Sequence, residues 1–286
     1  MEGLIIKKIA DNFEVRTPEG SSYFTARGNL KKDGLFVGDK VMVDTQTKTI
    51  DSILPRQNLL VRPTFANLSQ LVIVIAFVPK TDFEVVDKLL LFSLSNHINP
   101  LIVVNKIDLA EKDYLEYIKK TYSVFDIVFV SAKQNTNLEA LHEKLKGNIS
   151  AFAGQSAVGK SALIKALFPN AIVEIGELSK KIERGKNTTR HTQLFELEEN
   201  TFLADTPGFS RLDEKYLPME YHDLRYYYPD FLPFHESCKY KSCTHTNEKA
   251  SECGVKTAVK EGLLDKERFH RYLKVFEILK KEQKYD

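Results

Sequence analysis

The sequence predicts a multidomain chain of three dissimilar units: a small five-stranded β-barrel, an α/β unit built on a mainly parallel sheet, and a mostly helical unit gathered around a metal-binding cluster. Three observations carry this. Short apolar bursts between turn residues fill the first 65 positions, unbroken apolar strands alternate with amphipathic helices over 66–212, and the three cysteines all fall between Cys238 and Cys253. With 286 residues, 43% of them hydrophobic and 10% aromatic, the chain is large enough for such a division.

In residues 1–65 the bursts are Leu4 to Ile6, Phe13 with Val15, Tyr23 with Phe24, Val41 with Val43, and Ile50 with Ile53 and Leu54. Asp11-Asn12, Pro18-Glu19-Gly20 and Gly38-Asp39 separate them, so about five short strands are expected and no helix. The common barrel of this size is the oligonucleotide-binding (OB) fold. Nucleic-acid binding and mere packing on a neighbour are equal readings of it.

Residues 66–212 change texture. The strand LVIVIAFV (71–78) is followed by a helix (85–96), the strand PLIVV (100–104), a helix (114–122), the strand DIVFV (126–130), a helix (137–145), the strand ISAFA (149–153), a helix from Lys160 to Phe168 and the strand TFLA (201–204). Continuous apolar strands between helices imply a sheet covered on both faces, with ligands at the carboxyl ends of its strands. Residues 213–286 hold a Tyr- and Pro-rich stretch, the cysteine cluster and a helical tail.

Charge and layout exclude several classes. Forty-one basic against 39 acidic residues leave a net charge of +2, too mild to announce a nucleic-acid binder, so any basic surface is local. The longest apolar run stops at Pro79, the N-terminus lacks the layout of a secretion signal, and three clustered cysteines suit no disulfide framework. A cytoplasmic monomer with no DNA and no membrane partner is expected.

After ISAFA comes Gly154-Gln155-Ser156-Ala157-Val158-Gly159-Lys160-Ser161, then Ala162 and the rest of a helix. Strand, glycine-bounded loop and helix form a phosphate-binding loop: backbone N–H groups and the helix N-terminus face the phosphates, Lys160 reaches the outer ones, and Ser161 ligates magnesium. The ligand is therefore a nucleoside triphosphate with Mg2+. Its base is read by Asn105-Lys106-Ile107-Asp108 at the end of PLIVV. The Asp108 carboxylate can accept the two parallel donors of guanine, whereas adenine would strand a buried charge. Asn105 holds the other edge and Lys106 lies over the ring. Ser131-Ala132-Lys133, after DIVFV, can donate backbone N–H groups to the base carbonyl. Together these favour GTP and GDP over adenine nucleotides.

Downstream, Gly185-Lys186-Asn187-Thr188-Thr189-Arg190-His191 and Asp205-Thr206-Pro207-Gly208-Phe209 have the character of switch loops. Asp205 can hold magnesium through water, Gly208 can touch the terminal phosphate, and Thr188 or Thr189, with Thr189 preferred, can close over the metal. The order is inverted relative to common GTPases, because the base-reading motifs precede the phosphate loop. A closed site tolerates such a cut where the original termini were neighbours. The central unit is thus a circularly permuted α/β P-loop GTPase domain whose second switch feeds directly into the third unit.

The arrangement NKID, SAK, GQSAVGKS, GKNTTRH and DTPGF, between a small barrel and a Cys/His module, resembles the RsgA family of circularly permuted GTPases dependent on the small ribosomal subunit. The resemblance covers essentially the whole chain. It implies a GTP hydrolase that binds the small subunit and its rRNA late in assembly and is stimulated there. DTPGF carries Ser210 where Ras-like enzymes carry a water-orienting Gln, so slow hydrolysis in isolation is expected. His191 resembles the histidine of the family's TTxH motif and, with Lys160 and Thr189, completes the candidate catalytic set; a loop histidine without a catalytic role is the alternative.

Cys238, Cys243, His245 and Cys253 supply three thiolates and an imidazole, the complement of one structural Zn2+ with no open position. Seven residues separate His245 from Cys253, more than the family pattern implies. With few apolar residues of its own, this segment is expected to depend on the metal for its fold. Beyond it, Leu264, Phe269, Tyr272, Leu273, Phe276 and Leu279 fall on one side of a helix, with Lys266, Arg268, Arg271, Lys274 and Lys280 elsewhere as a solvated face or an RNA phosphate contact. Against the GTPase stands a second function, an RNA-binding protein that senses GTP or GDP with negligible hydrolysis; an ATP-dependent enzyme conflicts with Asp108.

Overall fold

The computed structural model describes residues 1–28, 30, 34–61, 64–169, 192–205 and 217–283. Its first strands are β1 (Glu2–Ile9), β2 (Asn12–Thr17), β3 (Gly20–Ala26), β4 (Lys40–Asp44) and β5 (Thr49–Ile53). Alternation turns Phe13 and Val15 of β2, and Val41 and Val43 of β4, inward. The strands pair in the order β1-β2-β3-β5-β4, and β4 returns to β1 (Leu4↔Lys40), so the barrel is closed as expected of an OB-like unit. A hairpin not anticipated from the sequence follows, β6 (Leu59–Val61) and β7 (Thr64–Ala66). The buried Asp39 carboxylate fastens the barrel exit by accepting hydrogen bonds from Arg56 (Nε, 2.6 Å) and from the Phe36 N–H (2.8 Å), and the hairpin is held by its Ala66 N–H, which donates to the Val37 carbonyl at 2.9 Å.

The central sheet contains β8 (Gln70–Ala76), β9 (Asn99–Asn105), β10 (Asp126–Phe129), β11 (Ile149–Ala153), β12 (Gln193–Glu198) and β13 (Thr201–Asp205). Their order is β10-β9-β8-β11-β13-β12; all run parallel except β12, which is antiparallel to β13. Every residue of β8 is buried, because this strand lies inside the sheet with helices over both faces. On one face, Val72, Val74, Leu101 and Val103 pack with α3 (Leu138–Leu145) and α4 (Lys160–Leu167). On the other, Leu71, Ile73, Ile75 and Ile102 pack with α1 (Phe83–Ser95) and α2 (Lys112–Thr121). The β12 strand, unanticipated from the sequence, also pairs antiparallel with β1 at Lys7↔Gln193, and Arg16 reaches Glu196 at 2.6 Å across the same seam.

The C-terminal unit has short 3-10 turns at Leu224–Tyr227, Leu232–Ser237 and Ala250–Glu252, then α5 (Gly254–Lys260) and α6 (Lys266–Glu282). Tyr228, Phe231, Tyr272 and Phe276 join the same core as α1 and α2. The expected charged face of α6 is corrected at two positions. Arg268 and Arg271 are 2% and 8% exposed and turn inward onto Asp87 of α1, with Arg268 also held by Asp230 (2.7 and 2.9 Å). Their partners lie far off in the chain, so local patterning carries no trace of them. Among the described residues no helix is long and apolar enough to cross a membrane.

Candidate functional site

The phosphate loop leaves β11 at Ala153 and enters α4 at Lys160. Its two glycines are required by contact as well as by conformation. Gly154 has φ +124°, and a Cβ there would lie 2.1 Å from the Val74 carbonyl of β8. Gly159 has φ +100°, and a Cβ there would lie 2.3 Å from Nδ2 of Asn105. The Lys160 ammonium crosses the loop to donate to the Gly154 and Gln155 carbonyls, both at 2.7 Å. Burial lowers its pKa from the ordinary lysine value, a cost that a nearby polyanion would offset. Ser161 and Ala162 are exposed on the first turn of α4, beside the exposed Ser156 and Ala157 and above the buried Val158.

Asn105, at the end of β9, is 1% exposed and ties two loops together. Its Nδ2 donates to the Val158 carbonyl of the phosphate loop (2.9 Å), and its Oδ1 accepts from the Ala132 N–H (3.2 Å). Lys106 takes a left-handed φ of 59° and sends Nζ to the carbonyls of Ala157 (2.8 Å) and Val78 (3.0 Å). The half-exposed Asp108 accepts from the Ser131 hydroxyl at 2.6 Å, while the same hydroxyl accepts from the Gln134 N–H at 3.1 Å. A bridge between Ser131 and Thr136 closes this loop and leaves Lys133 exposed at its tip. Asn105, Lys106, Asp108, the 131–133 loop and the 154–161 loop therefore gather at the carboxyl ends of β9, β10 and β11, despite their separation in the chain.

Thr188, Thr189, His191 and Gly208 lie outside the described residues. Asp205 ends β13, one strand away from the strand that carries the phosphate loop. Sequence reasoning missed the segment after β8. Gln155 accepts from the Asp82 N–H (2.9 Å), and Asp82 caps α1 by accepting from Glu84 N (3.0 Å), so the phosphate loop is bonded to the start of the helix that bears Asp87. Asp87, set between Val86 and the apolar run Leu89 to Phe92, was the available signal for the buried cluster.

The metal cluster is assembled from the turn before Cys238, the Cys243–His245 knuckle and the N-cap of α5. Its four ligand atoms lie within 4.8 Å of one another. His245 Nδ1 is 3.3 Å from Cys243 Sγ, 3.3 Å from Cys253 Sγ and 3.7 Å from Cys238 Sγ. A tetrahedral zinc ion with ordinary bond lengths sets N···S near about 3.6 Å and S···S near about 3.8 Å, so the residues fit the ion. Backbone N–H groups of Gly254 and Lys256 point at the sulfurs of Cys238 (3.3 Å) and Cys253 (3.5 Å), as they would toward thiolates. Burial pushes the Cys243 and Cys253 thiols up and the His245 imidazole down to about 4. The imidazole is thus neutral with a lone pair to give, and the thiols ionise only beside a cation.

A family model described as RsgA GTPase matches residues 53–215. Proteins named small ribosomal subunit biogenesis GTPase RsgA are similar along the whole chain. The one from Ruminiclostridium cellulolyticum is 38% identical over 97% of this chain and 93% of its own, and the one from Clostridium kluyveri is 36% identical over 100% of both. Among solved structures, YjeQ from Thermotoga maritima superposes with a TM-score of 0.79 at 30% identity, covering 97% of this chain and 98% of that one. YloQ, described as a circularly permuted GTPase, gives 0.79 at 28% identity over 98% and 95%.

Proposed function

The chain belongs to the RsgA GTPase family, and from that premise we propose that it is a ribosome-biogenesis GTPase that docks on the small ribosomal subunit and its rRNA late in maturation and hydrolyses GTP faster once docked. Three units divide the labour: the barrel (1–65) and the zinc and helical unit (213–286) hold RNA, and the permuted GTPase domain (66–212) reads the nucleotide. The observation that carries this reading is the Asn105 bridge, which fastens the phosphate loop at Val158 to the 131–133 loop at Ala132. A nucleotide spanning those loops has its base at Asp108 and its phosphates at Lys160.

Asp108 selects guanine, with Ser131 holding its carboxylate; Asn105, Lys106, Ala132 and Lys133 line the base, and residues 154–162 wrap the phosphates. Ser161 and Thr189 would hold Mg2+, which shields the phosphate charge. Asp205, Gly208 and Thr188 border the terminal phosphate, and His191 orients the attacking water. Cys238, Cys243, His245 and Cys253 would hold one Zn2+ that keeps their knuckle folded. The protein acts in the cytoplasm as a monomer, without DNA or membrane partners.

Titration calorimetry with GTP or ATP in the presence of magnesium tests the pocket; tighter binding of ATP overturns the guanine assignment. Phosphate release with and without small subunits tests the enzyme. No stimulation by subunits turns the reading toward a nucleotide-sensing RNA-binding protein. Sedimentation with subunits in GDP or a non-hydrolysable GTP analogue is expected to differ strongly between the two nucleotides.

A further inference from the structure

Around the zinc site, two buried polar atoms of opposite character face solvent-free surroundings without partners. His245 points Nδ1 at the three sulfurs, which leaves Nε2 on the far side of a ring only 1% exposed. Among the described residues this Nε2 has no hydrogen-bond partner. A neutral imidazole that gives its Nδ1 lone pair to a metal carries its proton on Nε2, so the orphan is a donor in need of an acceptor. Three residues on, Glu248 has one carboxylate oxygen fixed by the Thr244 N–H at 3.0 Å, and its other oxygen, Oε2, is buried with no partner among the described residues. The loop between them is clamped by Lys256, whose Nζ donates to the carbonyls of Thr246 and Glu248, both at 2.6 Å.

The other groups against the ring do not serve. Arg225 Nε is also buried and unpartnered, but a guanidinium only donates. The His235 ring lies 4.7 Å from that of His245, tilted by 35°, and its own Nε2 is buried without a partner among the described residues, but a neutral imidazole is a weaker acceptor than a carboxylate. Tyr272 approaches at 6.2 Å, and its hydroxyl is already donated to the Thr244 carbonyl at 2.6 Å.

We propose that Glu248 is the positioning residue of the zinc site: its free carboxylate oxygen takes the Nε2 proton of His245, directly or through one bridging water, and so locks the imidazole with Nδ1 toward the metal. The inference rests on the reading of the Cys3His cluster as a zinc site. A carboxylate behind a ligand imidazole fixes its tautomer and raises its basicity, and loss of such a partner ordinarily costs about 10- to 100-fold in metal affinity.

The test compares zinc-loaded full-length wild type with Glu248→Gln and Glu248→Asp, in competition with a chromogenic zinc chelator. Glu248→Gln keeps the size of the side chain and an oxygen for the Thr244 N–H, but turns an amide N–H toward the imidazole. The expected result is zinc affinity lowered by about 10- to 100-fold in Glu248→Gln and largely restored in Glu248→Asp, with altered visible absorption of the cobalt-substituted Gln form. Guanine nucleotide binding in the same samples reports that the remainder of the chain is folded. Equal affinity and an identical cobalt spectrum in wild type and Glu248→Gln overturn the proposal. A wild type that takes up no stoichiometric zinc instead overturns the metal reading and takes the proposal with it.

Discussion

Replacing Asp87 by Asn isolates what joins the C-terminal unit to the GTPase domain. The wild-type cluster is neutral, two guanidiniums against the carboxylates of Asp87 and Asp230, with Tyr122 donating its hydroxyl to Asp87 at 2.9 Å. Burial alone would lower the pKa of Arg268 and Arg271, yet Asp87, together with Asp230 at Arg268, raises both above the ordinary arginine value. Asn removes one charge and leaves the pocket with a net positive one. Removing one partner of a buried pair costs about 3–5 kcal/mol. Arg268 keeps Asp230, and Arg271 keeps the Tyr122 oxygen at 3.3 Å, so the lower end, about 3 kcal/mol, applies. At about 2–4 °C per kcal/mol for a chain of this size, the melting midpoint falls by roughly 6–12 °C, and the C-terminal unit separates as an earlier transition. Lys274→Ala, which deletes an exposed ion pair to Glu84 between the same two helices, is expected to cost less than about 1 kcal/mol. Differential scanning calorimetry reads both. An Asp87→Asn protein melting within about 2 °C of wild type refutes the idea that the buried charges hold this joint.

Other perturbations follow from the site. Gly159→Ala places a methyl 2.3 Å from Asn105 Nδ2 at a φ of +100°, so it is expected to abolish measurable GTP binding in calorimetry while leaving the barrel folded; near-normal affinity would contradict the loop geometry. Zinc chelation is expected to expose the amides of α5 and the knuckle to hydrogen exchange while α6, anchored on Asp87, stays protected; retained protection of α5 would show that the metal does not hold it. His191→Ala is expected to leave GTP affinity intact and to lower the subunit-stimulated rate, and an unchanged stimulated turnover removes His191 from the mechanism.

Much of this fold is legible in the sequence because its signals are local. The unbroken LVIVIAFV demands burial on both faces, β2 of the barrel alternates strictly, and a phosphate loop between strand and helix fixes its own context. The β12 strand escaped because QLFELE puts Leu194, Phe195 and Leu197 on no single face, and only Leu194 is buried. Arg268 and Arg271 escaped for a different reason: on a helix with both signs of charge they look solvated, and Asp87 lies 181 and 184 residues away. Gln155 reads as an arbitrary position inside a motif, and only the fold shows its oxygen meeting the Asp82 N–H.

The seam between β1 and β12 has a consequence for traffic in both directions. β12 is the strand that follows residues 170–191, and β13, its hairpin partner, runs on into residues 206–216; β13 also lies directly beside the strand of the phosphate loop. A body that grips the barrel is therefore tied through β1 to a two-stranded ribbon that lies beside the strand of the phosphate loop. Thermodynamic reciprocity then makes the two effects equal and of one sign: whatever factor a bound nucleotide adds to the barrel's hold on a partner, that partner adds to the hold on the nucleotide.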